Sequence, residues 1–331
     1  LYEDIPNLDN KEDAQRDKAI REHCQKFWHP YALTIDPNTR ADDSVILKVL
    51  KRDWEPTMKE SALSQTEKAL KILEQVKKYV PIYNCIVLGS VPQFYQGSGK
   101  KKKKLREEIE KLHRYKPTSG VYFYLFNLLL YGIENKLKDD QLNSITQCLI
   151  KIESYFIRRN LYKDDGSVKN VFSNIWSNSS KKPDAKKLAQ GLNDINRPWY
   201  TDNEIMERSD RNFYSGKTAD YILATYEQDL GGDALQNPQK EHVMPRNYNS
   251  NWNHFTEEEH AEYLNMWGNI VHISGKLNKK FSDKGYEDKK KIILDPIKHY
   301  ISSSARELFQ ADLWTKNEIL ERNEKLYKWA L

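Results

Sequence analysis

The chain has 331 residues, more than one domain of roughly 100–200 residues usually holds, so two packed units are expected. Hydrophobic residues make up 38% and charged residues 31%, and 20 Tyr, 8 Trp and 10 Phe exclude disorder as the state of the whole chain. The net charge is only +5, from 53 basic and 48 acidic residues, so any nucleic-acid contact must come from local clustering rather than from a global polyelectrolyte attraction. The longest apolar run, residues 121–131, includes Asn127 and falls well short of the ~20 residues of a bilayer-spanning helix, so no membrane span is expected. Cys24, Cys85 and Cys148 stand far apart with no CxxC pair, which argues against a zinc site and for a reducing, cytoplasmic compartment. The polar opening at Leu1, without a basic and apolar leader, reads as part of a longer protein.

Apolar residues recur at three- and four-residue intervals over 13–28, 61–79, 105–115, 121–137 and 140–161, which predicts that the first two thirds are helical. The last of these carries Leu142, Ile145, Leu149, Ile152, Phe156 and Ile157 as a continuous stripe and reads as a core helix. Breaks are expected at 30–43, at Pro56, and at 96–99, 116–120 and 163–166, where Pro, Gly, Asp and Ser cluster. The lysine run 100–104 fails the phosphate-loop pattern, with Phe94 and Lys101 at the wrong positions, and reads as a solvated loop or helix start. A boundary around Asn196-Arg197-Pro198 separates a helical linker or arm, residues 1–196, from a second domain, residues 197–331.

Beyond that boundary His242, His254, His260 and His272 crowd together with Trp252, Trp267 and many Asn. Lys240-Glu241-His242-Val243-Met244-Pro245 sets a carboxylate beside an imidazole, and in an extended segment the two side chains point to opposite faces. One can then hold a metal while the other meets water or substrate, and a later helix bearing Asn278 can add an oxygen ligand. Hard oxygen donors favour Mg²⁺ or Mn²⁺ over zinc. His272 is expected on the solvent face of an alternating strand, and His254 and His260 on the surface near Glu257 and Glu259. Trp252 and Trp267 read as packing residues, and Thr315 with Glu318 as a capping box opening the last helix.

Glu-His-x-x-Pro at 241–245, Gly-Asn-Ile at 268–270, then Asn278, Lys284, Tyr286 and Lys289 resemble the C-terminal HNH nuclease domain of the GmrSD-type restriction endonuclease family, which includes SspE-like antiphage proteins. The likeness takes in Lys217 to Glu227 before the motif and Trp314, Ile319, Arg322 and Leu326 after it, roughly residues 200–331. Asp283 stands where the family commonly has Asn, and Trp267 where it commonly has Leu. The resemblance implies a mainly α fold, in which a helical N-terminal region precedes a C-terminal helical domain with an embedded ββα-metal element. It further implies a metal-dependent endonuclease that nicks or cleaves DNA, foreign phage DNA in a restriction or antiphage defence system.

Residue by residue, it implies that Glu241 and Asn278 bind the Mg²⁺ or Mn²⁺ ion, that His242 is the catalytic base, and that Asn269 belongs to the catalytic motif by bracing its loop. Lys284, Lys289 and Arg246 are the expected nucleic-acid contacts. In that family an N-terminal nucleotide-hydrolysing domain precedes the nuclease, and it is absent from this chain. Self-association stays open. The alternative is a catalytically silent DNA-binding or protein-docking module of a larger nucleotide-gated protein. RNA also stays open as a substrate, because attack by water needs no 2′-hydroxyl.

Overall fold

The computed structural model describes residues 12–331 apart from 37, 97–98, 116–118, 163–167, 169–170, 194–197, 216–217, 234 and 295–300. The expected break at 163–166, parts of those at 96–99 and 116–120, the boundary pair Asn196-Arg197, and Lys217 lie outside the described residues. The chain divides into two compact units, Leu1–Glu153 with Gly166–Pro198, and Ser154–Asp165 with Trp199–Leu331. It is mainly helical. Among the described residues no helix is long and apolar enough to cross a membrane.

The first unit is built from α1 (Asp13–Ile35), α2 (Asp43–Lys59), α3 (Gln65–Lys77), α4 (Val80–Leu88), α5 (Lys100–Tyr115), α6 (Ser119–Glu134), most of α7 (Asp139–Tyr162), α8 (Val171–Asn178) and α9 (Ala185–Leu192). Local signals set several ends. Ser64 and Glu67 form a capping box at the start of α3, and Gly89 at φ +73° closes α4 in the left-handed conformation that glycine favours. The lysine run opens α5 ahead of the buried stripe Leu105, Ile109 and Leu112.

The break expected at 30–43 falls between the end of α1 at Ile35 and the start of α2 at Asp43, later than its proline because α1 runs through Pro30, and the break expected at Pro56 does not occur, because α2 runs through it. Proline removes one helical hydrogen bond and crowds the carbonyl four residues back. Here those carbonyls belong to Lys26 and Arg52, both exposed, so water can serve them. In α1 the buried Phe27, Tyr31, Ala32 and Leu33 carry the helix past its proline. The core around them is aromatic: Phe27 meets Tyr83 edge-on at 5.3 Å, and the buried Tyr95 hydroxyl donates to the Leu129 carbonyl.

In the second unit α10 (Asp202–Met206) and α11 (Ala219–Asp229) precede β1 (Gln239–His242), then follow α12 (Glu257–Tyr263), β2 (Ile270–Ile273), α13 (Gly275–Phe281), α14 (Tyr286–Leu294), α15 (Ser303–Leu308) and α16 (Lys316–Ala330). β1 and β2 pair antiparallel, with Glu241 opposite Val271 and His242 opposite Ile270. Every residue of β2 is buried, since α11 and α15 both pack on it. That corrects the expected solvent-facing His272, whose Nε2 lies 3.0 Å from Asp220 Oδ1. His260 is likewise buried, with Nε2 2.8 Å from the Pro245 carbonyl oxygen, whereas His254 is exposed as expected.

Trp252, Trp267 and Trp314 are fully buried, and Val243, Met244, Leu277 and Phe281 pack with Trp252 and Trp314 into one apolar cluster. The turn before β2 presses on α16 at Gly268, where a Cβ would run into the Ile319 carbonyl. Arg322 of α16 secures that turn by donating Nη1 to the carbonyls of Trp267, Gly268 and Ile270 at 3.1, 2.6 and 3.0 Å. Thr315 and Glu318 form the capping box that opens α16.

Candidate functional site

β1 ends at a cleft of about 470 Å³ whose walls include Tyr214, Glu241, His242, Arg246, Asn278 and Asp283. Glu241, His242, Arg246 and Asn278 are therefore brought together, whereas Asn269, Lys284 and Lys289 do not line this cleft. The extended backbone of β1 sends Glu241 and His242 to different surroundings, as strand alternation requires.

Glu241 is 7% exposed, and its Oε1 accepts from Lys289 Nζ at 2.7 Å. Lys289 has no exposed surface and also donates to the carbonyls of His242 and Val243, each at 3.0 Å. Its three ammonium protons are thus committed inside the protein, which corrects the expectation that Lys289 touches nucleic acid. Burial pushes the Glu241 carboxyl above its ordinary range and the Lys289 ammonium below its own, each partner opposing the other's shift. Lys284 is exposed and stands outside the cleft, next to Asp283.

The His242 ring stacks on Tyr214, with centroids 4.4 Å apart and planes at 26°, and its Nε2 lies 3.0 Å from Asn265 Oδ1. Burial pushes the imidazole pKa down to about 4, and the charges of Arg246 and Lys289 push the same way against the Asn265 hydrogen bond. The ring is neutral at pH 7. Arg246, exposed on the cleft wall, lays its guanidinium 4.8 Å from the Tyr214 ring centroid, and Lys240 Nζ lies at the same distance from that ring.

Asn269 is fully buried behind the strand. Its Oδ1 accepts from Met244 N–H at 2.8 Å and Trp314 Nε1 at 3.3 Å, while Nδ2 donates to the carbonyls of Met244 and Leu264 at 3.1 and 2.9 Å. It braces the chain leaving β1 and has no side-chain access to a substrate. Asn278 donates Nδ2 to Gln239 Oε1 at 2.7 Å, which leaves its Oδ1 without a donor among the described residues. Sequence reasoning missed Tyr214, Asn265 and Gln239. Gln239 begins the strand that bears the motif and was within reach, whereas Tyr214 and Asn265 belong to no spacing pattern.

A cation here would find few protein ligands, since no group of three or more His, Cys, Asp or Glu converges among the described residues. Glu241 Oε2 and Asn278 Oδ1 nevertheless accept no hydrogen bond among those residues, and neither is a buried unpartnered atom. Two accessible hard oxygens on one cleft fit Mg²⁺, which keeps several of its waters and takes only one or two protein ligands.

Residues 200–329 match the family model of the GmrSD restriction endonucleases, C-terminal domain. This part of the chain is similar to that domain over the stretch that carries Glu-His-x-x-Pro, Gly-Asn-Ile and Asn278. The match points to a restriction-endonuclease-like nuclease, a class whose substrate is DNA. No curated protein matches the chain.

Proposed function

We propose that the chain is a metal-dependent HNH endonuclease that nicks or cleaves DNA, foreign DNA in a restriction or antiphage system. One observation carries this reading: Glu241, His242 and Asn278 line a single cleft within the stretch that matches a restriction endonuclease domain. The succession of β1, β2 and α13 supports a ββα-metal element, with Glu241 and His242 on its first strand and Asn278 on its helix. The nuclease domain then starts near residue 197, with residues 1–196 as a helical arm, in a longer cytoplasmic protein whose N-terminal domain hydrolyses nucleotide.

Glu241 Oε2 and Asn278 Oδ1 would hold Mg²⁺ or Mn²⁺, which supplies charge stabilisation at the scissile phosphate and the leaving oxygen. The neutral His242 imidazole takes a proton from the attacking water, which a base must do in its unprotonated form. Lys289 opposes the burial that pushes the Glu241 carboxyl up and fixes it in register with the carbonyls of residues 242 and 243. Asn269 holds the turn after the strand. Arg246 is the exposed cation on the wall and meets a backbone phosphate, and Lys284 adds a second contact further along.

Nicking of supercoiled plasmid tests the reading. Cleavage should require Mg²⁺ or Mn²⁺, stop with EDTA, and fall by about 10²–10⁴ in a folded His242→Ala protein, the range a general base contributes. DNA binding without cleavage under every divalent ion supports the silent binding module instead.

A further inference from the structure

We propose that Asn265 and Tyr214 form a clamp that holds His242 as its Nε2–H tautomer, so that Nδ1 is the nitrogen presented to water in the cleft. This rests on the nuclease reading of the site, which it deepens. Asn265 Oδ1 lies 3.0 Å from His242 Nε2. An amide oxygen only accepts, so this bond places the ring proton on Nε2 and leaves the Nδ1 lone pair free. Nδ1 has no hydrogen-bond partner among the described residues and is not one of the buried unpartnered nitrogens, so this edge of the ring opens on the cleft that His242 lines.

The face of the ring is fixed by Tyr214, and Tyr214 is fixed by the same asparagine. The Asn265 carbonyl accepts from the backbone N–H groups of Phe213 at 2.8 Å and Tyr214 at 3.4 Å. One residue in the turn between α12 and β2 thus sets the imidazole edge with its side chain and the stacked ring with its backbone. Lys240 and Arg246, each 4.8 Å from the Tyr214 centroid, add a cation–π hold on that ring. Asn265 is a positioning residue, since it acts through His242. Without it the two neutral tautomers exchange, the ring turns, and a smaller fraction of molecules presents a base.

The test is nitrogen NMR of ¹⁵N-histidine-labelled protein near pH 8, above the ordinary imidazole value of ~6.5, with the His242 signals assigned by their loss in His242→Gln. Wild type should show a protonated Nε2 and a bare Nδ1. Asn265→Ala should average the two nitrogens, and Asn265→Asp, which keeps an acceptor oxygen, should restore the wild-type pattern. Plasmid nicking by Asn265→Ala should lose about 10–100-fold in kcat, as loss of an orienting partner does, with KM within about twofold.

A wild type protonated on Nδ1, or an Asn265→Ala protein that keeps one fixed tautomer, overturns the clamp. If Asn265→Ala does not fold, the wild-type tautomer alone decides. If the wild type never nicks DNA, the nuclease reading fails while the nitrogen spectrum still decides the clamp.

Discussion

The first unit fills its interior with rings and aliphatic side chains, Phe27, Tyr83, Tyr95, Phe126 and Leu129 among them, and buries few charges. The second packs a comparable apolar cluster but also buries Glu227, Glu241, His242, His260, His272, Lys289 and Arg322. Apolar contacts are non-directional and tolerate small shifts, whereas each buried polar group requires a partner at a set distance and angle. Glu227 shows what this achieves: its carboxylate accepts from the N–H groups of Ser303 and Ser304 at 2.5 and 2.9 Å and so pins the start of α15, a helix that covers β2. A cleft that must present an imidazole in one orientation needs such directional bonds behind it, and packing alone does not provide them.

Breaking the buried ion pair gives the largest expected effect. Lys289→Ala leaves Glu241 as a buried carboxylate without its counter-ion, which should cost about 3–5 kcal/mol in urea unfolding. In the first unit Lys71 and Glu60 pair at 2.8 Å with both side chains about half exposed, and Lys71→Ala should leave the unfolding midpoint unchanged. Equal losses in the two units would remove the distinction between them.

Acid should reveal the same contrast. The His242 pKa, about 4 in the folded protein, lies below its unfolded value of ~6.5, so as pH falls the unfolded chain takes up the proton first. Stability is therefore complete above about pH 6.5 and declines towards pH 4 by up to roughly 3 kcal/mol. Thermal melts of wild type and His242→Gln across that window measure it, and the variant should show the flatter acid limb. Parallel limbs would mean that the folded ring takes up a proton as readily as the unfolded one.

Glycine substitutions compare the two interiors directly. At Gly268 a Cβ meets the Ile319 backbone carbonyl, which cannot give way without moving α16, while at Gly132 it meets the ends of the Tyr95 and Ile145 side chains. Gly132→Ala should cost about 1–3 kcal/mol, the usual range for overpacking, and Gly268→Ala more than that. Chemical denaturation of both variants gives the order, and only Gly268→Ala should also disturb the turn that sets Asn269 behind β1.

The same contrast governs what could be read from the sequence. Helical stripes such as Leu105, Ile109 and Leu112 were legible because burial on one face repeats at the helical period. Pro30 and Pro56 misled as helix stops because a local rule yielded to packing in the first case, and because in both the residue four positions back, Lys26 or Arg52, is exposed. Glu241, His242 and Asn278 could be grouped by residue type and spacing, and they line one cleft. Lys289 could not be placed, since it opens the run Lys289-Lys290-Lys291 and reads as part of a solvated face until the tertiary fold turns one of the three inward. His272 was misplaced because alternation presumes one open face, and β2 is covered where His272 points, with Asp220 of α11 against its ring. Asn265 and Tyr214 lie outside any repeat, so only the three-dimensional arrangement brings them to the imidazole.

A small but measurable effect is expected beside the same strand pair, where the charge is half in water. Asp220 lies 3.0 Å from His272 Nε2 and 3.4 Å from Lys240 Nζ, but its own side chain is 61% exposed. The His272 hydrogen bond holds its carboxyl below the ordinary range, with Lys240 helping and partial burial opposing. A depressed carboxyl stabilises the fold above its unfolded value of ~3.9, and that contribution disappears as pH falls through the folded value. Solvent screening limits it to at most about 1 kcal/mol. Asp220→Asn should therefore lower the melting temperature slightly at pH 7, and the difference should close both near pH 2 and in 1 M salt, where the Debye length is only ~3 Å. The Lys289→Ala deficit, with both partners out of water, should persist in that salt. If salt erased both deficits alike, the Glu241–Lys289 pair would be as solvated as the Asp220 pair, and the buried network behind the cleft would lose its special standing.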